Sequence, residues 1–178
     1  MSTLSLYSSC QATEQEKILL LVDDESYILN ALERLLIEGN YIILKAHSGA
    51  EGLKILERKS VQVILSDQRM PEMTGVKFLT QVKEKFPDTV RIVLSGYSEL
   101  NSVTEAMNYG VIFKFLTKPW EDDLLQANVK EAFQYFFLRQ TNERLSKELE
   151  EANRQLAQFS PECKNPFSSG TSTHALSS

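Results

Sequence analysis

Short apolar runs alternate five times with segments of helical spacing along the middle of this chain, and this alternation constrains the fold more than any other feature. The apolar runs predict β-strands over Lys17–Val22, Tyr41–Ala46, Val61–Ser66, Thr89–Leu94 and Ile112–Leu116. Apolar residues three and four positions apart predict helices over Ser26–Glu38, Ala50–Lys59, Gly75–Phe86, Glu99–Tyr109 and a last helix that starts near Trp120. Because crossovers between parallel strands are right-handed, the pattern predicts an α/β fold with helices on both faces of a parallel sheet.

We expect this sheet to be flavodoxin-like and doubly wound, with five parallel strands in the order 2-1-3-4-5. In that order the first and third strands are neighbours, and ligands of such sheets bind beyond the carboxyl ends of the strands. A chain of 178 residues, 42% of them hydrophobic, is large enough to bury the core of such a fold. Functional residues are therefore expected just after the strands.

Charge and hydropathy exclude two classes of partner. The net charge is −5, and the basic residues are scattered rather than gathered on one stripe, so we expect no direct nucleic-acid binding. Apolar runs such as Ile18–Val22 are far too short to span a membrane, and the N-terminus lacks the features of a signal peptide. These observations predict a cytoplasmic protein.

Residues suited to phosphoryl chemistry follow four of the five predicted strands. Asp23 and Asp24 come after the first strand, Asp67 after the third, Ser95 after the fourth and Lys118 after the fifth. A lone Asp in this position is more often a helix cap or a turn residue, and that reading stays open for Asp67 taken by itself. Two or three carboxylates, a hydroxyl and an ammonium group at adjacent strand ends favour a common site.

The chemistry of this set points to Mg²⁺ and an acyl phosphate. Neighbouring carboxylates raise one another's pKa unless a cation lies among them, and Mg²⁺ prefers oxygen ligands. We expect Asp24 and Asp67 to be direct ligands and Asp23 to act through water. A carboxylate can attack phosphorus, so Asp67 is the candidate nucleophile, with Lys118 balancing the phosphoryl charge and the Ser95 hydroxyl bonding one phosphoryl oxygen.

These motifs together resemble the receiver domain of bacterial two-component response regulators. The resemblance covers about residues 17–135 and rests on Asp23-Asp24, Asp67, Met70-Pro71, Gly75, Ser95-Gly96 and Lys118-Pro119. It implies a switch domain rather than an enzyme. Its partner would be a sensor histidine kinase or a phosphotransfer protein, which passes a phosphoryl group to Asp67. It also implies that the backbone carbonyl of Arg69 completes the metal site, that the Lys118–Pro119 peptide is cis and that slow autodephosphorylation resets the switch.

The resemblance assigns roles to three further positions. Phe115 lies where receivers carry an aromatic switch that moves with Ser95, although a plain packing role remains the alternative. Arg69 and Tyr97 occupy positions that tune the lifetime of the phosphoryl group, and replacing both by small polar residues is expected to shorten it. A softer resemblance, carried by DQRMPEMTG and FKFLTKPW, is to receivers fused to HD-GYP or other cyclic-dinucleotide output domains.

The last helix carries a heptad pattern beyond the receiver-like region. Steps of three and four join Tyr135, Leu138, Asn142, Leu145, Leu149, Ala152, Leu156 and Phe159. A single Asn at an a position, here Asn142, favours a two-stranded coiled coil in fixed register. We therefore predict a homodimer through Leu138, Asn142, Leu145, Leu149 and Leu156, the alternative being a helix folded back on its own domain.

The predicted organisation has four parts: a disordered tail at 1–16, the receiver domain at 17–135, the coiled-coil extension at 136–159, and a disordered tail or expression remnant at 160–178. Any output domain would lie beyond this sequence. The leading functional prediction is a phosphorylation-controlled response regulator. The alternatives are an Asp-nucleophile Mg²⁺ phosphohydrolase, against which Arg69 stands where a general acid is needed, and a dimerising scaffold that does not depend on phosphorylation.

Overall fold

Strands and helices alternate along the chain in the computed structural model, which describes residues 16–96 and 99–159. The strands are β1 (Ile18–Val22), β2 (Ile42–Ala46), β3 (Val63–Asp67), β4 (Val90–Ser95) and β5 (Lys114–Thr117). The helices are α1 (Ser26–Leu36), α2 (Gly49–Leu56), α3 (Gly75–Lys85), α4 (Leu100–Asn108) and α5 (Asp122–Phe159), and a short 3-10 helix, Ile37–Gly39, follows α1. Every predicted element is therefore present.

The strands form one parallel sheet in the order β2-β1-β3-β4-β5, which confirms the predicted topology. β1 lies between β2 and β3, with Leu20 opposite Leu44 on one side and Ile64 on the other. The strand order reverses at β1 and β3, so the carboxyl ends of these two strands flank the crevice where ligands of such sheets bind.

The apolar residues of the strands divide between two cores, one on each face of the sheet. Leu19, Leu21 and Leu65 belong to the core that α1 and α5 cover, whereas Leu20 and Ile64 belong to the core that α2, α3 and α4 cover. Successive side chains of a strand point to opposite faces. Strands buried on both faces are therefore apolar throughout, which explains why their sequences read as continuous runs.

Several predicted ends were wrong by one to three residues. β3 continues to Asp67 and β4 to Ser95, because these residues still pair with Leu94 and Thr117 on the neighbouring strands. α2 begins at Gly49 because the Ser48 hydroxyl caps it by accepting a hydrogen bond from the Glu51 N–H. Asp67 and Ser95 thus lie in the last positions of β3 and β4 rather than in the following loops.

Arg91, the second residue of β4, ties together the loops at the amino edge of the sheet. Its guanidinium donates hydrogen bonds to the carbonyl oxygens of Val111 at 2.6 Å, Thr89 at 2.6 Å and Pro87 at 3.3 Å. Burial, with a smaller contribution from the nearby positive charge of Arg139, lowers the pKa of this guanidinium. The backbone before β4 is therefore held to the backbone before β5.

The chain divides into two compact units, of which the first ends at Gln140 and the second begins at Thr141. In the first unit, Tyr135 packs on Phe113 with ring centroids 4.8 Å apart. In the second unit, Leu145, Leu149 and Leu156 are exposed. The predicted boundary between residues 135 and 136 remains a prediction. Among the described residues, no helix combines the length and the apolar character needed to cross a membrane.

Candidate functional site

Four strands bring the predicted site residues to one edge of the sheet. Asp23 directly follows β1, Asp67 ends β3, Ser95 ends β4 and Lys118 directly follows β5. These strands are neighbours in the order β1-β3-β4-β5. The Lys118 N–H also donates to the Ser95 carbonyl oxygen at 2.8 Å, which fixes the end of β5 against the end of β4. The Lys118–Pro119 peptide is cis, as predicted.

Lys118 joins the two buried carboxylates of the site. Its Nζ lies 2.6 Å from Oδ1 of Asp67 and 3.1 Å from Oδ2 of Asp23. The residues Asp23 and Asp67 are only 1% and 5% exposed, respectively, so their charges need a partner inside the protein. One ammonium group between two carboxylates leaves this cluster with a net negative charge.

The pKa values of Asp23 and Lys118 reflect opposing effects of burial and pairing. Burial raises the pKa of Asp23 above its ordinary value, although the Glu25 N–H and the Lys118 ammonium act in the opposite direction. For Lys118, burial alone would lower the pKa, but the hydrogen bond and charge of Asp67, together with those of Asp23, raise it. Lys118 is therefore held in its charged form.

Hydrogen bonds within the loop after β3 fix the Asp67 carboxylate and the backbone around it. The Arg69 N–H donates to Oδ2 of Asp67 at 2.6 Å. The Gln68 side chain accepts from the Val76 N–H at 2.9 Å, and the Gln68 carbonyl oxygen accepts from the Gly75 N–H at 3.0 Å. A Cβ at Gly75 would lie 2.2 Å from the Asp67 carbonyl oxygen, so only glycine fits this close approach of two backbones.

The Ser95 hydroxyl and the Arg69 side chain both contact Glu99, which directly precedes α4. Ser95 is fully buried, and its Oγ lies 3.2 Å from Oε2 of Glu99 and 3.1 Å from the Gly96 carbonyl oxygen. The Arg69 Nε lies 2.9 Å from Oε1 of Glu99. The Arg69 side chain is 78% exposed and the Glu99 side chain 16% exposed.

The remaining predicted site residues lie in different environments. Asp24 is exposed beside the buried Asp23. Phe115 is half-buried and packs against the core under α3 and α4, which is compatible with either a switch or a packing role. Tyr97 lies outside the described residues, so its predicted role in the phosphoryl lifetime stays a prediction, as does that of Arg69.

The donor set suits a hydrated Mg²⁺ better than an all-protein metal site. Within residues 16–96 and 99–159, no three His, Cys, Asp or Glu side chains are gathered closely enough to hold a metal ion. Asp23 and Asp67 nevertheless offer hard oxygen atoms, and each of these oxygens can accept more than one bond. Because Mg²⁺ commonly keeps several waters and uses one or two carboxylates, these two residues fit it.

The predicted dimer residues of α5 are accessible along the chain. Leu138, Leu145, Leu149 and Leu156 are 51% to 69% exposed, and Asn142 is also exposed. Tyr135, the first a position of the heptads, is 45% exposed, but its ring packs on Phe113 in a tilted arrangement. The ring at this a position is therefore partly covered by a contact within the first unit.

Sequence reasoning missed two residues that shape this site, Gln68 and Glu99. Gln68 is 6% exposed and directly follows the candidate nucleophile Asp67, and this adjacency was a usable signal. Glu99 gave no such signal, because a Glu at the start of a helix usually faces solvent and favours the positive helix end. Its contacts depend on how the backbone turns after Ser95.

Comparison with known proteins agrees with this geometry. The family model described as the response regulator receiver domain matches residues 19–130. The hydrogenase transcriptional regulatory protein HoxA of Bradyrhizobium diazoefficiens is 42% identical over 125 residues, which cover 70% of this chain and 26% of HoxA. The chain thus spans about a quarter of the length of this curated relative.

Two solved structures are similar in fold and sequence. A response regulator receiver domain protein from Clostridium thermocellum has a TM-score of 0.65 and 32% identity, with 68% of this chain and 98% of that chain covered. The signal receiver domain of an HD domain-containing protein from Pseudomonas fluorescens Pf-5 has a TM-score of 0.67 and 29% identity, with 71% and 93% covered. The chain therefore belongs to the response regulator receiver domain family of two-component signalling.

Proposed function

We propose that Asp67 accepts a phosphoryl group and that this chain is the phosphorylation-controlled part of a longer response regulator. The observation that carries the proposal is the position of Lys118, whose ammonium bridges the buried carboxylates of Asp67 and Asp23 at 2.6 and 3.1 Å. Phosphoryl transfer depends mainly on positioning and on neutralising charge, and this cluster supplies both. The donor would be a phosphohistidine of a sensor kinase or phosphotransfer protein.

The transfer step forms one bond and breaks one. A carboxylate oxygen of Asp67 forms an O–P bond while the N–P bond of the phosphohistidine breaks, and the electron pair of that bond returns to the imidazole. Lys118 stays protonated and stabilises the negative charge on the phosphoryl oxygens. Water later cleaves the acyl phosphate and restores the Asp67 carboxylate, which corresponds to the predicted autodephosphorylation.

Asp67 and Asp23 would hold the Mg²⁺ that this step requires, which exchanges the predicted roles of Asp23 and Asp24, because Asp23 is buried beside Asp67 and Asp24 is exposed. Asp24 and the Arg69 carbonyl are the further predicted ligands. When bound, the ion adds positive charge beside the phosphoryl oxygens. The protein's own contribution is to keep Asp67 and Asp23 buried, oriented and paired with Lys118. Ser95 would donate its hydroxyl to a phosphoryl oxygen, and Phe115 would move with Ser95.

We further propose that two copies of the chain associate through α5. The exposed seam of Leu138, Leu145, Leu149 and Leu156 supports this, because aligned leucines at heptad spacing bury apolar surface when two helices pair. Asn142 would fix the register. Tyr135 remains against Phe113 in the first unit, so the pairing would begin at Leu138.

Two relatives belong to proteins with different outputs. HoxA is named a transcriptional regulatory protein, and the Pseudomonas fluorescens structure belongs to an HD domain-containing protein. Since both contain more than a receiver, we propose that the phosphorylated chain controls an attached output domain or a separate partner.

The proposal is tested by incubating the full chain with Mg²⁺ and acetyl phosphate and measuring the intact mass over time. We expect an adduct of one phosphoryl group on the native protein and none on Asp67→Asn. Asp88→Asn is the matched control, since Asp88 lies in the exposed loop before β4 and pairs with Arg139 rather than with the site.

Three outcomes separate the candidate functions. An adduct that needs Asp67 and decays slowly supports the receiver function. Donor turnover without a lasting adduct would indicate a phosphohydrolase, and no reaction at all would leave the phosphorylation-independent scaffold.

A further inference from the structure

Glu99 contacts three hydrogen-bond donors from residues that flank the proposed phosphoryl-acceptor site, Ser95, Gly96 and Arg69. Its Oε2 lies 3.2 Å from the Ser95 hydroxyl and 3.2 Å from the Gly96 nitrogen, whose N–H donates to it. Its Oε1 lies 2.9 Å from the Arg69 guanidinium. The Glu99 side chain is 16% exposed, so its charge is largely compensated by these donors.

The three donors form a set that recognises anions. A hydroxyl, a backbone N–H and a guanidinium are the groups that commonly bind phosphate and carboxylate oxygens. Here all three contact the carboxylate of Glu99. The Ser95 proton has a second acceptor, the Gly96 carbonyl oxygen at 3.1 Å, but an ionised carboxylate is the stronger acceptor.

The backbone places these donors beside Asp67. The Arg69 N–H donates to Oδ2 of Asp67 at 2.6 Å, so the residue whose side chain binds Glu99 holds the acceptor carboxylate with its backbone. Ser95 directly follows Leu94, which lies opposite Asp67 in the β3–β4 ladder. A phosphoryl group on Asp67 would therefore arrive next to donors that Glu99 already occupies.

We infer that Glu99 acts as an internal competitor of the phosphoryl group. In the unmodified protein its carboxylate holds the Ser95 hydroxyl and the Arg69 guanidinium, and a phosphoryl group on Asp67 must take the Ser95 hydroxyl from it. Glu99 is a positioning residue, because it acts through Ser95 and Arg69. This inference rests on the proposed phosphorylation of Asp67.

The competition lowers the apparent affinity of the site for a phosphoryl group. If the Ser95 hydroxyl is free for only part of the time, the apparent affinity falls by that fraction. Glu99→Gln keeps the size of the side chain and one acceptor oxygen but removes the charge that makes both contacts strong. We expect Glu99→Gln to raise the apparent affinity for a phosphoryl group or its mimic roughly fivefold, which is at the lower end of typical coupling between sites.

The test measures phosphoryl incorporation from acetyl phosphate with Mg²⁺ in the full chain, by intact mass. Because the Ser95 hydroxyl would stabilise the phosphoryl oxygens during transfer as well as after it, Glu99→Gln should be phosphorylated faster than the native protein. Glu105→Gln is the matched control, because Glu105 is an exposed carboxylate on α4, the helix that Glu99 directly precedes, and its rate should equal the native rate. Glu99→Asp, whose shorter side chain cannot reach both Ser95 and Arg69, should change the rate in the same direction and covers the case in which Glu99→Gln does not fold.

A second readout separates competition from a general loosening of the fold. Beryllium fluoride mimics a phosphoryl group on a carboxylate, and its binding with Mg²⁺ can be followed by the fluorescence of Trp120, the one tryptophan of the chain. Glu99→Gln should bind it more tightly, and this gain should shrink in a Ser95→Ala background. A gain that persists without the Ser95 hydroxyl would overturn the assigned route.

The outcomes also distinguish this inference from the proposed function. A native protein that is phosphorylated on Asp67, with Glu99→Gln at the same rate or slower, overturns the inference alone. A native protein that gains no phosphoryl group overturns both.

Discussion

At the scale of single residues, one ammonium group decides whether two buried carboxylates can coexist. Asp23 and Asp67 are both almost fully buried, and Lys118 is in contact with each. Separating an ion pair of this kind leaves an uncompensated charge in a low-dielectric surrounding, which costs far more than losing a surface pair. Lys118 is therefore expected to matter for stability as well as for chemistry.

Lys118→Met should destabilise the metal-free protein by about 3 kcal/mol near neutral pH, because two carboxylates are left without a countercharge. Lys114→Met is the matched control from β5. Lys114 pairs with Glu131 at 2.6 Å, but both side chains are partly exposed, so its loss should cost at most about 0.5 kcal/mol. Urea unfolding in the presence of a chelator measures both values.

The cost of Lys118→Met should shrink as the pH falls. Burial already raises the pKa of Asp23 in the folded state, and without the ammonium the lowering effect of Lys118 on this pKa is lost. The folded variant then binds protons more readily than the unfolded chain, so its stability rises as the pH falls towards the ordinary aspartate pKa. A cost that is independent of pH would contradict this account.

Gly75→Ala is predicted to destabilise the first unit by about 3 kcal/mol, because the added Cβ overlaps backbone atoms that cannot move aside as a side chain can. The overlap is with the Asp67 carbonyl oxygen at 2.2 Å. At Gly96 the nearest atom to an added Cβ is 3.5 Å away, so Gly96→Ala provides the control. Similar unfolding midpoints for the two variants in guanidinium would show that the loop relaxes.

Which site residues the sequence could predict follows from how each is positioned. Asp23, Asp67, Ser95 and Lys118 are positioned by the strand order of a parallel sheet. The alternation of elements indicates such a sheet, and the flavodoxin-like order then places these residues at one edge. The contacts of Glu99 depend on a turn and on side-chain rotamers, which leave no periodic signal. The pairing of Arg69 with Glu99 could not be predicted for the same reason. The place of Arg69 two residues after Asp67 indicated a role in the site but not which residue its side chain contacts.

At the scale of elements, the ends of strands were harder to predict than their existence. The apolar run of β3 ends at Leu65, yet pairing with β4 continues through Ser66 and Asp67. Backbone hydrogen bonding does not depend on side-chain polarity, so polar residues at a strand end are readily assigned to the following loop. Asp67 and Ser95 are polar residues at such strand ends.

For α5, Leu149→Ala should weaken self-association of the full chain at least about tenfold, since each buried Leu truncated to Ala costs roughly 2 kcal/mol or more. Lys147→Ala changes an exposed residue on the opposite side of the heptad and should leave association unchanged. Sedimentation equilibrium measures both. A native chain that stays monomeric at all concentrations would contradict the proposed dimer.

At the scale of the whole molecule, the division at Gln140 and Thr141 predicts that the first unit folds without the second. A chain ending at Gln140 should keep its melting temperature within about 3 °C, because over residues 16–96 and 99–159 the two cores extend to Phe137 and no further. It should still accept a phosphoryl group but should not dimerise. Calorimetry, intact mass and sedimentation test these three statements, and loss of the folded state on truncation would contradict the division.

The hydrogen bonds of Arg91 have a mechanical consequence for the sheet. The Arg91 side chain holds the backbone before β4 to the backbone before β5, so the two strands are tied together at their amino ends. At the other end of this pair, Ser95 pairs with Thr117 and the Lys118 N–H donates to the Ser95 carbonyl oxygen. β4 and β5 are therefore tied to each other at both ends, and the edge that carries the chemistry is a rigid frame for Ser95 and Lys118.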